Sequence, residues 1–476
     1  MAADRPLRSD ATWSVAGRGG AAIVNLAALA IYSRLLGPAE FGIFALVQAS
    51  AIILYNGLFH WLEAAILRFV PASRSGGPDP MPALGRGYAL AIVSLVALAL
   101  LSPFVSGISA ITIVGPMLLM TLGEAASNGA AEFHRAAGRL RSYAVLVLLR
   151  ATLSAGGGAI LLLLHGQAAH HAVLGHAGGC LAVGLIGMMW RRPRLTARRP
   201  ALALRDIAGY GWPLSASLVA RLAAQRLDRF IVAWLLGLEA AGIYALAFDF
   251  VRRAIGVPLA MVNLATYPRM SAAADRGDEA EITRLARLNW RGLALAGLPL
   301  AAGLAAISPV LLPVLFDAAF GGNDAAAVAA LAAAAILLEA ARVQHFDLAF
   351  MLRRETLPLL AISLVTLAAA AAGCIALAPA FGLPGAATAA LLAATIALAL
   401  SIVLGRRRLV MDAEMSRTIS IGIGALLMGC AVAALGSMLD GLPGALLGIG
   451  AGVAIFTIYA IVVPATGLRE LIRKET

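Results

Sequence analysis

The chain has 476 residues, of which 61% are hydrophobic and only 13% are charged, and its formal net charge is +12. A soluble protein carries about 25% charged residues, so this composition excludes a soluble protein and predicts a polytopic membrane protein. Most of the arginines lie in short loops between apolar runs, a pattern typical of membrane topology rather than of nucleic-acid binding.

Apolar segments long enough to cross a membrane occur fourteen times along the chain. A membrane-spanning helix needs about 20 mainly apolar residues. The first segment follows Arg5 and Arg8 as in a signal peptide, but its apolar run continues to Tyr32, beyond the apolar core of about 7–15 residues of such a peptide. The predicted spans are 11–34, 41–65, 87–107, 110–132, 141–164, 169–190, 211–236, 240–266, 290–316, 325–350, 357–379, 384–404, 418–438 and 443–465.

Basic residues occur in every second loop, which gives an independent test of this count. The loops without Lys or Arg are 104–110, 165–171, 317–324, 380–383 and 439–442. The arginine-rich loops alternate with them and should face the cytoplasm. This alternation predicts an even number of spans with both termini in the cytoplasm.

One apolar hairpin occurs twice, as SRLLGPAEFGIFAL at 33–46 and AWLLGLEAAGIYAL at 233–246. Seven of the fourteen aligned positions are identical, including two glycines. The pattern favours two similar halves, in which span one matches seven, two matches eight and four matches ten. Coincidence in an Ala- and Leu-rich chain is the alternative.

Ionisable residues inside the spans predict the ligand site, since each costs about 2.5–3.5 kcal/mol in hydrocarbon and must face a cavity or a partner. On a helix the polar residues of these spans fall on coherent faces. The excess arginine predicts an anionic ligand, because the planar guanidinium binds phosphate with two hydrogen bonds. The candidate substrate-binding residues are Arg18, Asn25, Asn56, His60, Arg150, Arg221, Gln225, Arg226 and Arg229. The candidate coupling or charge-balancing residues are Glu63, Glu124, Asp228, Asp249 and Glu339.

The same polar residues also have structural interpretations. By sequence spacing, Asp228 with Arg229, Asp249 with Arg253 and Glu339 with Arg342 are ion pairs that would let helices pack. His60 is then a hydrogen-bonded packing residue. The polar segment 268–289 is either an amphipathic helix on the cytoplasmic surface or a solvated connector.

The chain contains no motif of a known enzyme class, so we expect a protein without catalytic activity. P-loop, H-E-x-x-H and G-x-S-x-G motifs do not occur. Cys180, Cys374 and Cys430 lie far apart in apolar segments without metal-ligand spacing. We interpret them as small hydrophobic residues and expect neither a metal site nor a cofactor.

Several motifs resemble those of bacterial polysaccharide (O-antigen-type) flippases of the multidrug/oligosaccharidyl-lipid/polysaccharide exporter superfamily. They are SRLLGPAEFGIFAL (33–46), LDRFIVAWLLGLEAAGIYAL (227–246), ILRFVPASR (66–74), YPRMSAAADRGD (267–278) and FGLPGAATAALLA (381–393). The resemblance implies an all-α polytopic fold with two pseudo-symmetric six-helix bundles around a central cationic cavity, plus two C-terminal helices.

The resemblance also implies domain boundaries. We expect an N-terminal bundle at 1–190, a basic cytoplasmic linker at 191–210 and a second bundle at 211–404. Spans thirteen and fourteen and a cytoplasmic tail would then occupy 405–476. The related lipid II flippases use arginines in span one, for which Arg18 is the matching candidate.

Members of this family move polyprenyl-pyrophosphate-linked oligosaccharides from the cytoplasmic to the periplasmic leaflet of the bacterial inner membrane by alternating access. The implied partners are the lipid-linked oligosaccharide, membrane lipids, a polysaccharide polymerase, glycosyltransferases and a coupling ion, H⁺ or Na⁺. No nucleic acid is expected.

Other functions stay open. An ion-coupled small-molecule or drug exporter of the same superfamily would favour an acidic site in its first half, whereas span one has Arg18 and no carboxylate. A membrane glycosyltransferase or polymerase would need catalytic carboxylates on a large periplasmic loop, and the loop at Asp317 is short. A non-transporting scaffold would leave the repeated buried charge without a purpose.

Overall fold

A computed structural model describes residues 4–106, 111–190, 200–353, 355, 357–409, 411–438 and 441–466. These residues are almost entirely helical, and the β-structure among them is a single isolated bridge between Asp79 and Ala201. The predicted all-α polytopic fold is therefore confirmed. Most of the basic linker, at 191–199, and the end of the tail, at 467–476, lie outside the described residues.

The chain forms two compact units, Met1–Ala223 and Ala224–Thr476. The helices of the first unit are α1 (Asp4–Leu35), α2 (Pro38–Leu58), α3 (His60–Arg74), α4 (Met81–Ser106), α5 (Ile111–Ala136), α6 (Leu140–His165), α7 (Ala169–Met189) and α8 (Leu204–Ala224), of which the last residue belongs to the second unit. The helices of the second unit are α9 (Leu227–Leu236), α10 (Leu238–Asp275), α11 (Glu279–Leu315), α12 (Asn323–Ala341), α13 (Leu348–Leu352), α14 (Leu357–Gly405), α15 (Met415–Gly436) and α16 (Gly441–Val462).

All fourteen predicted spans fall on these helices, and the differences lie in their continuity. Span two is divided between α2 and α3 at Phe59, and span seven between α8 and α9 at Gln225 and Arg226. Span ten is interrupted by a π-helical turn, Arg342–Phe346. Spans eleven and twelve both lie within α14, which consists of two helices joined at Gly382, where φ is 62° and the backbone is not helical. The two helices pack against each other, because a Cβ on Gly373 would lie 3.0 Å from Ala389 Cβ.

Among the described residues, nine helices are long and apolar enough to cross a membrane. They contain ten of the fourteen predicted spans, because α14 contains two of them. The other four are spans one, four, seven and eight, which all carry candidate site residues and are correspondingly less apolar. The chain is a multi-pass membrane protein, and four of the seven spans that carry candidate site residues depart from a lipid-like composition.

The division between the compact units falls inside predicted span seven, not in the basic linker. Helix α8 packs against α3 in the first unit, where a Cβ on Gly211 would collide with the Trp61 carbonyl group. The Arg68 guanidinium lies 4.3 Å from the centroid of the Tyr210 ring, a further contact between these two helices. The domain boundaries at 190 and 210 stay a prediction.

The two copies of the repeated hairpin both form tight turns between helices. One copy turns between α1 and α2, and the other between α9 and α10. Gly237 has a φ of 92°, which a residue with a side chain adopts only with strain, whereas Gly37 has a φ of −64° and is followed by Pro38 at the start of α2. The glycine is therefore required by backbone conformation in the second copy only.

Segment 268–289 is neither a separate surface helix nor an unstructured connector. Helix α10 continues through it to Asp275, and α11 begins at Glu279. Between them Gly277 has a φ of 73°, and the Asp278 carboxylate caps α11 by accepting a 2.9 Å hydrogen bond from the Glu281 amide. Both expectations were wrong because the charged residues extend the two spanning helices beyond their apolar parts.

Small residues bring α6 and α7 into backbone contact. A Cβ on Gly175 would collide with the Gly157 carbonyl group, and a Cβ on Gly179 would collide with that of Leu153. Nearby, the Tyr32 hydroxyl of α1 donates to the Ser154 carbonyl at 3.1 Å. Close packing through small residues is typical of helices in membranes, where burial of apolar surface gives little drive for association.

We expect Gly175→Ala to lower the apparent Tm of the purified protein in detergent. The added methyl group overpacks the α6–α7 contact, which costs about 1–3 kcal/mol. Gly178→Ala is the matched control on the same helix, because Gly178 is exposed and its Cβ would meet nothing within 4 Å. An equal or higher Tm for Gly175→Ala than for Gly178→Ala would contradict the contact.

Candidate functional site

The three interrupted spans carry the polar candidates at their interruptions. His60 is the first residue of α3, Arg226 lies between α8 and α9, and Glu339 precedes the π-helical turn by three residues. Transporter sites are commonly built at discontinuous helices, whose free ends offer polar groups inside the membrane. π-Helical turns are likewise frequent at functional sites. The interruptions therefore mark the candidate site more precisely than helical periodicity does.

In the second unit, Arg229 and Asp249 form a buried bidentate ion pair. Arg229 is 1% exposed, and its Nη1 donates to Asp249 Oδ2 at 3.0 Å while its Nη2 donates to Oδ1. Both charges are thus neutralised between α9 and α10. This contact gives the pair a structural role in joining the two helices.

Asp228 is held by two different donors. Tyr244 donates its hydroxyl hydrogen to Asp228 Oδ2 at 2.6 Å, and the Arg229 backbone amide donates to Oδ1 at 2.9 Å. The spacing-based pair of Asp228 with Arg229 therefore corresponds to a backbone hydrogen bond. The guanidinium of Arg229 reaches Asp249 on α10 instead.

Glu339, on α12, bonds to α10 and to the break between α8 and α9. Its Oε1 accepts a hydrogen bond from Gln225, and its Oε2 accepts one from Arg252 Nη1 at 2.9 Å. Arg342 forms its ion pair with Asp347, at 3.4 Å across the π-helical turn. Sequence spacing predicted a pair of Arg342 with Glu339. The actual partners of Glu339 lie outside α12, and the partner of Arg342 lies beyond the π-helical turn, so spacing along one helix does not predict them.

Arg226 has two buried donor atoms without hydrogen-bond partners among the described residues, whereas Arg229 has one, its Nε. In Arg226 these atoms are Nε and Nη1. Arg226 also directly precedes Leu227, the first residue of α9, where the positive end of the helix dipole lies. Three further guanidinium groups, those of Arg229, Arg252 and Arg253, belong to the same unit, and at least two carry carboxylate partners. Arg226 therefore offers donors that an anion would satisfy.

In the first unit, Glu124 is the centre of a polar cluster between α5, α6 and α7. Arg150 Nη1 donates to Glu124 Oε2 at 2.6 Å, and Asn128 Nδ2 donates to the same oxygen at 3.0 Å. His176 Nε2 lies 3.3 Å from Oε1, and Cys180 Sγ lies 3.9 Å from it. Arg150, a candidate substrate-binding residue, therefore has a carboxylate partner, Glu124, on the adjacent span.

A second carboxylate of the first unit, Glu63, is incompletely bonded. The Tyr55 hydroxyl donates to its Oε2 at 2.5 Å, and His60 Nδ1 lies 3.5 Å from the same oxygen. Glu63 Oε1 is buried without a hydrogen-bond partner among the described residues. Asn56 does not join this group, because its Nδ2 donates to the Ile52 carbonyl one turn earlier.

The remaining candidates in the first unit lie at α1 and α8. Arg18 is exposed, and its Nε and Nη2 donate to the Tyr143 hydroxyl at 3.3 and 3.1 Å. Asn25 and Arg221 are half-buried. The hydrogen bonds of Tyr55, Tyr143 and Tyr244 to Glu63, Arg18 and Asp228 were not predicted, because tyrosine was counted as an apolar aromatic residue.

Two apolar cavities lie apart from these polar clusters. One, of about 430 Å³, is enclosed by α11, α15 and α16 and is lined by residues such as Leu300 and Phe456. The other, of about 710 Å³, lies among α3, α4, α5 and α7, where Tyr88 and His134 are its few polar residues. Both linings suit hydrocarbon rather than a charged group.

We expect Asp249→Ala to destabilise the protein strongly, because it leaves Arg229 buried without a carboxylate. Breaking such a pair costs about 3–5 kcal/mol, whereas replacing both partners by apolar residues costs less. The apparent Tm in detergent should therefore fall more for Asp249→Ala than for the double variant Arg229→Met with Asp249→Leu. An equally low Tm for both variants would contradict the pairing.

Comparison with known proteins places this geometry in context. Residues 171–322 match the family described as "Polysaccharide biosynthesis protein". No curated protein matches the chain.

Three solved structures show the extent of the fold similarity. The structure described as "Lipid II flippase MurJ, inward closed conformation" is 11% identical with a TM-score of 0.71, covering 97% of this chain and 99% of that one. A MOP superfamily transporter from Pyrococcus furiosus, described as having a binding pocket of reverse polarity, is 16% identical with a TM-score of 0.59, covering 83% and 94%. A multidrug resistance MATE family transporter of the same superfamily, in an inward-facing conformation, is 17% identical with a TM-score of 0.61, covering 82% and 94%.

These identities support a likeness of fold. Together with the family match at 171–322, they confirm the resemblance that the sequence motifs indicated. The chain thus shares its fold with a lipid II flippase and with a multidrug resistance transporter, and residues 171–322 match a polysaccharide biosynthesis family.

Proposed function

We propose that the protein is a flippase that moves a polyprenyl-pyrophosphate-linked oligosaccharide from the cytoplasmic to the periplasmic leaflet of the bacterial inner membrane. Alternating access moves the ligand, and both termini lie in the cytoplasm. The partial match to a polysaccharide biosynthesis family and the fold of a lipid II flippase support this proposal. The protein acts as a transporter without catalysing a covalent reaction.

The buried donor atoms of Arg226 without partners are the observation that supports the proposal most directly. These atoms, Nε and Nη1, lack hydrogen-bond partners among the described residues, although an unsatisfied charged donor inside a protein is costly. A pyrophosphate oxygen would accept these hydrogen bonds and neutralise the charge. The start of α9 at Leu227 adds a positive dipole end beside the same ligand.

The other candidates take supporting roles in this proposal. Gln225, in the same unit as Arg226, contributes a further donor. The candidates of the first unit stay candidates for ligand binding within that unit: Arg18 and Arg221 as donors to an anion, and Asn25, Asn56 and His60 as partners of sugar hydroxyls. Arg150 and Arg229 remain ligand candidates, but each already donates to a carboxylate, so they contribute positive field with fewer available donors.

Glu63 is the coupling residue that we favour. One of its oxygens is buried without a hydrogen-bond partner in the described part of the chain, as expected of a group that takes up an ion or a proton. Glu124, Asp228, Asp249 and Glu339 balance arginine charge or accept hydrogen bonds from neighbouring helices. A gradient of H⁺ or Na⁺ would then supply the energy. Glycosyltransferases and a polysaccharide polymerase would act before and after transport.

An ion-coupled exporter of small molecules or drugs is the alternative. The fold is shared with a multidrug resistance transporter, so the fold does not separate the two functions. The charge of the ligand separates the two functions, because a site built around Arg226 favours anions over cationic drugs.

We expect Arg226→Gln to weaken binding of a polyprenyl-pyrophosphate-linked sugar by tenfold or more, since a hydrogen bond to a charged group contributes about 1.5–3 kcal/mol. Affinity would be measured by fluorescence titration of the purified protein in lipid nanodiscs. The variant should keep or raise the Tm, because it removes a buried charge without a bonded partner.

Two controls separate ligand binding from folding and from general charge. Arg229→Gln should lower the Tm, since Arg229 holds Asp249. Arg284→Gln should change neither property, because Arg284 is exposed and pairs with Glu281 on its own helix. Unchanged affinity for Arg226→Gln, or tight binding of a cationic drug instead, would overturn the proposal. In cells, Arg226→Gln should lose surface polysaccharide at normal membrane levels.

A further inference from the structure

Glu124, His176 and Cys180 form a cluster of three different metal-ligating groups in the first unit. His176 and Cys180 are four residues apart on α7 and therefore share a helix face. Glu124 lies opposite them on α5, where a Cβ on the neighbouring Gly123 would approach the Ala177 carbonyl oxygen to 2.9 Å. Close backbone packing thus brings the three side chains to one point.

The ligand atoms lie near the spacing that one bound metal ion requires, and small side-chain movements would bring the longer separations to it. Glu124 Oε1 lies 3.3 Å from His176 Nε2 and 3.9 Å from Cys180 Sγ, and all the ligand atoms lie within 4.8 Å of one another. An N–H···O hydrogen bond is typically about 2.9–3.0 Å long. Donor atoms on a tetrahedral zinc ion, at bond lengths of about 2.0–2.3 Å, are about 3.3–3.8 Å apart.

The surroundings of Glu124 orient it for this role. Arg150 and Asn128 both donate to Oε2, at 2.6 and 3.0 Å, so Oε1 is the oxygen that faces His176 and Cys180. Such hydrogen bonds to a metal-ligating carboxylate fix its orientation. Arg150 opposes a cation electrostatically. Its charge is offset when Cys180 binds as a thiolate and releases its proton to solvent.

We propose that this cluster binds a divalent transition-metal ion of the zinc type. A thiolate, an imidazole and one carboxylate oxygen favour Zn²⁺ or Co²⁺ over Mg²⁺ and Ca²⁺, which prefer oxygen ligands. The three side chains fill three of four tetrahedral positions, and water takes the fourth. The bound ion links α5 to α7. The proposal does not rest on the proposed transport function, although Glu124 and its partner Arg150 belong to both.

Cobalt titration of the metal-stripped protein in detergent tests the proposal. One equivalent of Co²⁺ should produce the near-ultraviolet charge-transfer band of a thiolate–cobalt bond, and Zn²⁺ should abolish the band by competition. Cys180→Ser should lose the band, while Cys374→Ser and Cys430→Ser keep it. His176→Gln should weaken Co²⁺ binding at least tenfold.

Thermal unfolding gives the second measurement and controls for folding. Zn²⁺ should raise the Tm of the wild-type protein, because a ligand that binds only the folded state stabilises it. It should leave the Tm of Cys180→Ser unchanged. A wild-type protein without the cobalt band, or a band that survives in Cys180→Ser but not in Cys430→Ser, would overturn the proposal.

Discussion

The neutralisation of charge inside the membrane is the constraint on which the rest of this structure depends. An unpaired ion in hydrocarbon costs several kcal/mol, so each buried charge must find its counterpart on a neighbouring helix. Three ion pairs between helices meet this requirement: Arg229 with Asp249, Arg150 with Glu124, and Arg252 with Glu339. These contacts fix which helices pack together. They leave two buried donor atoms of Arg226, Nε and Nη1, and one of Arg229, Nε, without hydrogen-bond partners in the described residues.

The same constraint explains why polar residues and helix interruptions coincide. An interrupted helix exposes backbone donors and acceptors that hydrocarbon cannot satisfy. At the break in span seven, Asp228 accepts the Arg229 amide and Tyr244 completes the carboxylate's hydrogen bonds. At the break in span ten, Asp347 pairs with Arg342 and accepts a 2.6 Å hydrogen bond from the Ser401 hydroxyl. The polar side chains therefore stabilise irregular backbone, and the same irregular backbone supplies groups for a ligand.

Sequence reasoning located the helices and the polar spans but not the contacts between them. Segment length and hydropathy depend on local composition, so all fourteen spans could be predicted, and helical periodicity identified Glu124 and Arg229 as buried. Partners such as His176 for Glu124, or Asp249 for Arg229, lie on other helices, and a single sequence contains no distances between helices. The break at Arg226 was missed because no proline or glycine lies near it, and the break at Phe59 was missed because Gly57 alone does not mark a helix end. Cys180 was interpreted as a hydrophobic residue because its cluster combines residues from two spans.

The π-helical turn at Arg342–Phe346 changes how the two halves should be aligned. Its backbone closes one residue later than in an α-helix, with the Asp347 amide donating to the Arg342 carbonyl at 2.8 Å. Helix α5, the predicted counterpart in the first half, continues without such a turn. On the predicted correspondence of span four with span ten, an ungapped superposition of the two repeats would be one residue out of phase beyond Arg342, a rotation of about 100°. Residues after this turn align with the equivalent residues of the first repeat only when the alignment treats one residue of the turn as an insertion in the second repeat.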